Sequence, residues 1–183
     1  MRKPVFVTIA GIIVVEIMFV FAGLYSGFVD VSASRPEGGL GRWFLATARD
    51  RSIRLRAANI SVPPLDDTLL VSKGFDHYNE MCVSCHGAPG REPDEIAMGL
   101  NPPAPVLTQS SGGRGAAETF LIIKNGIKMT GMPAWGPTHD DSTIWAMVAF
   151  VRRLPQITPE QYKQMQKTGR NEEMENMDRH DHR

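Results

Sequence analysis

Only two cysteines, Cys82 and Cys85, occur in the 183-residue chain. A disulfide framework is therefore excluded as its scaffold. A structural zinc site fits poorly, because such sites usually draw four ligands from two clusters. Charge of one sign is missing too, since 20 Lys and Arg balance 20 Asp and Glu. Without a basic surplus, nothing in the composition points to nucleic acid. No nucleophile–base pair, paired carboxylates or phosphate loop stands out, and the βαβ pattern that a thioredoxin-like C-x-x-C requires is missing.

What the chain does have is one pentapeptide, Cys82-Val83-Ser84-Cys85-His86. Read as C-x-x-C-H, it is the attachment signature of a c-type haem. Positions i and i+3 share one helical face, so both sulfurs can reach one flat ring and form thioethers with its vinyl groups. His86 follows directly and would be the proximal axial ligand of the iron. One such motif predicts one covalent haem c. With no disulfide, that haem would act as staple and as much of the core for a small domain.

The N-terminal segment reads as a membrane span. Arg2 and Lys3 precede an apolar run from Val5 to Tyr25. About 20 apolar residues suffice to cross a bilayer. Positive residues before the run and none immediately after it put the N-terminus in the cytoplasm and the rest outside. The alternative is a cleaved signal with Val31-Ser32-Ala33 as its small-residue site, although the run is long for that. Glu16 is costly at mid-span. It is either tolerated by a single helix or faces another membrane subunit.

Residues 28–67 read as a basic, aromatic linker. Residues 35–60 hold six Lys/Arg against two Asp/Glu. Trp43, Phe44 and Leu45 precede Arg49, Arg51, Arg54 and Arg56. Three readings stay open: a helix on the outer membrane face, a docking surface for an acidic partner, or a solvated helix packed on the next domain. Ile60-Ser61-Val62-Pro63-Pro64-Leu65 is expected as an extended tether.

Residues 68–155 carry the periodicity of a small helical domain. A helix is predicted from Leu69 to Met81, with Gly74 inside it where another helix could cross closely. Residues 87–115 are loop, rich in Gly and Pro. A carbonyl in Pro102-Pro103-Ala104-Pro105 is the expected acceptor for the second ring nitrogen of His86. A short helix from Ala116 to Asn125 ends at Gly126. A last helix, capped by Asp140, Asp141 or Ser142, runs to Leu154 with Ile144, Met147, Val148, Val151 and Leu154 in its stripe. Residues 156–183 form a short helix, opened by a Thr158–Gln161 capping box, and a polar tail. Met174, Met177, His180 and His182 in the tail are more simply solvated than copper-binding.

Over residues 68–155 the chain resembles class I cytochromes c of the bacterial type. The resemblance rests on Cys82–His86, on Ile123-Lys124-Asn125-Gly126 leading to Met132-Pro133-Ala134-Trp135, and on the stretch Ile144–Leu154. It implies an all-α class I cytochrome c fold wrapped around one covalent haem. It also implies contact of Gly74-Phe75 with Trp145 or Phe150, and Met132 as the distal iron ligand. Met129, or His77 with His139, are the competitors for that position. Trp135 is either a packing aromatic or a neighbour of a haem propionate, and Lys124, Lys128 or Arg114 would compensate the propionates. The departures from the family are the anchor, the linker and the tail.

Two protein ligands on the iron leave no open position for substrate, so electron transfer is expected and no catalytic residue is assigned. The expected role is a membrane-tethered carrier outside the cytoplasmic membrane. It would run between a quinol-oxidising complex or periplasmic dehydrogenase and a terminal oxidase or reductase. The alternative is a fixed haem subunit of a larger respiratory or dehydrogenase complex. A haem peroxidase or gas sensor is a third class. The partners would be membrane-bound or periplasmic redox proteins and the bilayer itself.

Overall fold

The computed structural model describes residues 2–28, 30–35, 38–110 and 113–169. Among these residues the structure is all-α. The one β feature is an isolated bridge between Ala88 and Arg91. The Met174, Met177, His180 and His182 cluster lies outside the described residues. Two compact units divide the chain, with the boundary between residues 36 and 37.

The first unit is α1, Arg2–Tyr25. Its 22 residues from Pro4 to Tyr25 are long and apolar enough to cross a membrane. At 1.5 Å per residue they span about 33 Å, against a hydrocarbon core of roughly 30 Å. Its apolar side chains are exposed, among them Phe6 at 72% and Phe19 at 80%. The helix is therefore apolar all round and no part of its own unit covers it. Ser26 Oγ donates to the Gly23 carbonyl (2.7 Å), and Gly27 turns the chain at φ 70°.

The second unit is built on two helices, α3 (Thr68–Met81) and α8 (Asp141–Arg153). Each starts on an aspartate cap: Asp67 accepts from Leu69 N (2.9 Å) and Asp140 from Thr143 N (2.7 Å). The expected stripe of α8 is buried throughout, with Ile144, Val148 and Leu154 at 0% exposure. Each such side chain contributes about 1.5–3 kcal/mol. Leu154 opens a 3₁₀ turn to Gln156, where Pro155 stops the helix.

Gly74 marks the place where α3 crosses α8. A Cβ there would fall on the Ala146 carbonyl oxygen and 2.9 Å from Phe150 Cβ. The neighbour predicted for this helix is thereby resolved in favour of Phe150. Phe75 meets Phe150 edge-on at 5.6 Å, and Tyr78 lies 5.2 Å from the same ring. Trp145 instead stacks on Phe120 at 4.2 Å, on α7 (Ala116–Asn125). Two apolar clusters result, one around Phe75, Tyr78 and Phe150, the other around Phe120, Ile123, Ile144, Met147 and Val148.

Three short helices, α4 (Val83–His86), α5 (Glu95–Met98) and α6 (Leu107–Ser110), punctuate the long loop. A final helix, α9, covers residues 159–169. Its capping box forms as expected: Thr158 N donates to Gln161 Oε1 (2.8 Å) and Gln161 N to Thr158 Oγ1 (3.2 Å). It docks on α3, where Tyr162 and Gln166 both donate to Asn79 Oδ1.

The basic stretch forms α2, Gly39–Ala57, and it belongs to this second unit. Of the three readings left open, the structure supports the helix packed on the domain, against α7. Asp50 on α2 accepts from Arg114 (2.7 Å) and from Arg49 (2.8 Å), and Arg114 also pairs with Glu118 on α7. The stretch after α2 is non-helical, as its prolines require, but it is not a free tether. Ile60 and Leu65 pack against the α7–α8 cluster.

Replacing Gly74 with Ala is expected to cost on the order of 3 kcal/mol, because backbone rather than a flexible side chain stands in the way. Urea denaturation of the full chain in detergent, followed by helix signal, checks this. A second expectation concerns pH. The Arg49 guanidinium, against an opposing effect of burial and with help from Arg114, holds the Asp50 carboxyl down at about 2 instead of 3.8. A depressed carboxylate contributes stability above its unfolded value and loses it as pH falls through its folded value. The advantage of the wild type over Asp50→Asn, on the order of 1 kcal/mol for a screened pair, should therefore vanish between pH 3.8 and about 2. Parallel denaturation midpoints across that range measure it.

Candidate haem-binding site

Helix α3 delivers the chain into the pentapeptide. Cys82 is its last cap, with Cys82 N donating to the Tyr78 carbonyl (2.9 Å). The next turn is α4, in which the amides of Cys85 and His86 both donate to the Cys82 carbonyl, at 3.1 and 2.9 Å. Positions i and i+3 of such a turn share a face. Both cysteines are free thiols and both are half-buried. Burial, and then the neighbouring Cys85, push the Cys82 thiol up to about 12. Gly87 ends the turn at φ 69°, and its carbonyl accepts from the buried Tyr78 hydroxyl (2.7 Å). The core of α3 is thereby tied to the chain on both sides of the motif.

His86 Nδ1 lies 2.8 Å from the Pro105 carbonyl. A carbonyl can only accept, so Nδ1 carries the proton and Nε2 keeps its lone pair. The expected acceptor in the Pro102–Pro105 stretch is therefore Pro105. Burial lowers the pKa of the ring and so favours the neutral imidazole that a metal needs, while the Pro105 bond pulls the other way.

Met132 stands on the other loop, between α7 and α8. Two backbone bonds tie that loop to α7, and two further bonds close the loop on itself. Ile127 N donates to the Met132 carbonyl (3.1 Å), Trp135 N to Ile123 O (3.0 Å), Gly136 N to Lys124 O (2.9 Å), and Met132 N to Thr130 Oγ1 (3.1 Å). Close approach requires glycine at 126, where φ is 64° and a Cβ would sit 2.7 Å from the Pro133 carbonyl carbon. The Met132 side chain is half-buried against the α7–α8 cluster.

The competing ligands are placed differently. Met129 sits at φ 63° and is 76% exposed. His77 and His139 meet each other edge-on at 5.3 Å, and His139 also touches Trp135 at 5.6 Å. Trp135 itself packs against the α7–α8 cluster. Two of the three cations expected at the propionates are engaged elsewhere: Arg114 with Asp50 and Glu118, and Lys124 with Asp141 at 2.6 Å.

The donor set suits a haem c. It comprises two unbridged thiols on one turn, an imidazole with its Nε2 free and its Nδ1 bonded, and a thioether on a stiff loop. Comparison with known proteins agrees. Residues 70–151 match the family model described as cytochrome C oxidase, cbb3-type, subunit III. The chain is also 37% identical over 84 residues to the Cbb3-type cytochrome c oxidase subunit FixP of Bradyrhizobium diazoefficiens. That match covers 45% of this chain and only 27% of the relative. The unit around Cys82, Cys85 and His86 is a c-type cytochrome domain, and an apolar helix precedes it in the chain.

Proposed function

We propose that the protein is a membrane-tethered, single-haem electron carrier that works with a respiratory complex on the outer face of the cytoplasmic membrane. The observation that carries this reading is the bond from His86 Nδ1 to the Pro105 carbonyl, together with a methionine loop tied to α7 by two backbone bonds. A haem c bound there supplies one-electron Fe(III)/Fe(II) chemistry. Cys82 and Cys85 anchor it through thioethers. His86 ligates through Nε2, and its bond to Pro105 fixes the ring orientation and raises its basicity. Met132 would offer the haem a soft thioether, which raises the potential relative to a second imidazole. Both ligands sit on restrained backbone, so the protein reorganises little between oxidation states.

The charges that flank α1 support this location. Arg2 and Lys3 lie before the span, and the next positive residue after it is Arg35, which orients the N-terminus to the cytoplasm. An anchor raises the effective concentration of the domain near membrane partners. Donors would be a quinol-oxidising complex or a periplasmic dehydrogenase, and acceptors a terminal oxidase or reductase. A second reading, a fixed subunit of such a complex, is favoured by the likeness to an oxidase subunit.

Substituting Met132 with Ala is expected to remove the methionine–iron charge-transfer band and lower the potential. Retention of the band would show that another residue is the sixth ligand. Purification from native membranes in mild detergent separates the two readings. A carrier elutes alone, whereas a subunit brings a constant stoichiometry of partner chains through every column.

A further inference from the structure

A cavity of about 620 Å³ opens between α2 and the two loops that bear His86's acceptor and Met132. From the first loop come Pro102 and Pro103, just ahead of Pro105. From the second come residues 126–130, ending at Thr130, whose hydroxyl accepts from Met132 N. No residue of 82–86 lines it. The cavity therefore borders both axial-ligand loops while standing clear of the attachment turn. On a haem, the propionate-bearing rings are those remote from the vinyl-bearing rings. With the vinyls tied to Cys82 and Cys85, a cavity clear of that turn would suit the carboxylate edge.

One face of α2 forms the far wall. Arg42, Leu45, Ala46, Arg49, Ser52 and Ile53 recur at helical spacing and all line the cavity. Arg51, Arg54 and Arg56 do not. Lys128 faces in from the methionine loop, and no carboxylate is among the lining residues. Arg49 is held by Asp50. Arg42 and Lys128 have no ion-pair partner among the described residues. An open, partly apolar cavity with two uncompensated cations and no acid is suited to a dianionic, otherwise apolar edge.

We infer that α2, which precedes the matched cytochrome segment, completes the haem site: Arg42 and Lys128 bind the haem propionates, and the α2 face covers that edge. This rests on the haem reading proposed above. The two residues are positioning residues. They fix the plate between the ligand loops, and their charge favours the reduced iron, which carries one positive charge fewer.

The test uses the full-length holoprotein in detergent, with covalent haem checked by denaturing electrophoresis and the sixth ligand by the methionine–iron band. Arg42→Gln combined with Lys128→Gln should keep both signatures. It should also shift the ferric/ferrous equilibrium toward ferric by about threefold or more, as expected when charges are lost beside a poorly solvated group. Arg42→Lys with Lys128→Arg should restore the wild-type potential. Arg51→Gln with Arg54→Gln removes the same charge from α2 outside the cavity and should leave the potential within error of wild type. Equal shifts from the two pairs, or no shift from the first with haem attached and methionine bound, overturn the inference while the haem reading stands. A wild-type chain that carries no covalent haem overturns both.

Discussion

The close approach of α3 to α8 at Gly74 is the contact on which the rest depends. With no Cβ between them, the Ala146 backbone and Phe150 come against α3 directly. Phe75 and Tyr78 then close around the Phe150 ring, and Tyr162 of α9 adds a third aromatic at 5.4 Å from Phe75. That aromatic cluster sets where α3 ends, and α3 ends at Cys82. The attachment turn is thus placed by a hydrophobic contact two turns away. The Tyr78 hydroxyl carries the same constraint past the motif to Gly87.

The ring of His86, on α4, and the loop that carries Met132 are each restrained by hydrogen bonds to backbone groups. His86 is turned by Pro105, nineteen residues away in sequence. The Met132 loop folds back on the C-terminal end of α7, where unpaired carbonyls of Ile123 and Lys124 accept its amides. Such bonds do not depend on the charge of a bound metal. A pair of donors held this way suits a group that gains and loses one electron without changing its ligands.

Helix α2 changes what the domain is. The stretch 39–57 is bound to α7 through Asp50 and Arg114, and the chain beyond it fills a gap in the second apolar cluster with Ile60 and Leu65. Its positive charge is consequently divided between two faces. One lines the cavity beside the ligand loops and the other faces solvent. The first can act on a bound cofactor, the second on whatever approaches from outside.

Much of the frame was legible in the sequence because its signals are local. A 22-residue apolar run, an aspartate and a Thr–Gln box at helix starts, Gly126 at a stop and a five-residue stripe in α8 each depend only on neighbours in the chain. The C-x-x-C-H motif is equally local, whereas the proline-loop carbonyl that meets His86 was expected from the chemistry of a ligating imidazole rather than from its neighbours in the chain. Other features depended on residues far apart in sequence. Phe150 rather than Trp145 meets α3 because Trp145 finds a better face on Phe120. Arg114 and Lys124 are drawn off by Asp50, Glu118 and Asp141, which no spacing rule connects. The basic stretch docks on α7 because folding gives Asp50 a partner 64 residues away. The sequence by itself determined the long helices of the domain, the caps at Asp140 and Thr158 and the chemistry of the motif, since these follow from short-range periodicity and covalent spacing, but not the short helices α5 and α6 inside the long loop. Only the tertiary structure decided which aromatic fills the crossing, which cations stay unpaired and that α2 forms a wall of the domain, since each is a competition among groups brought together by folding.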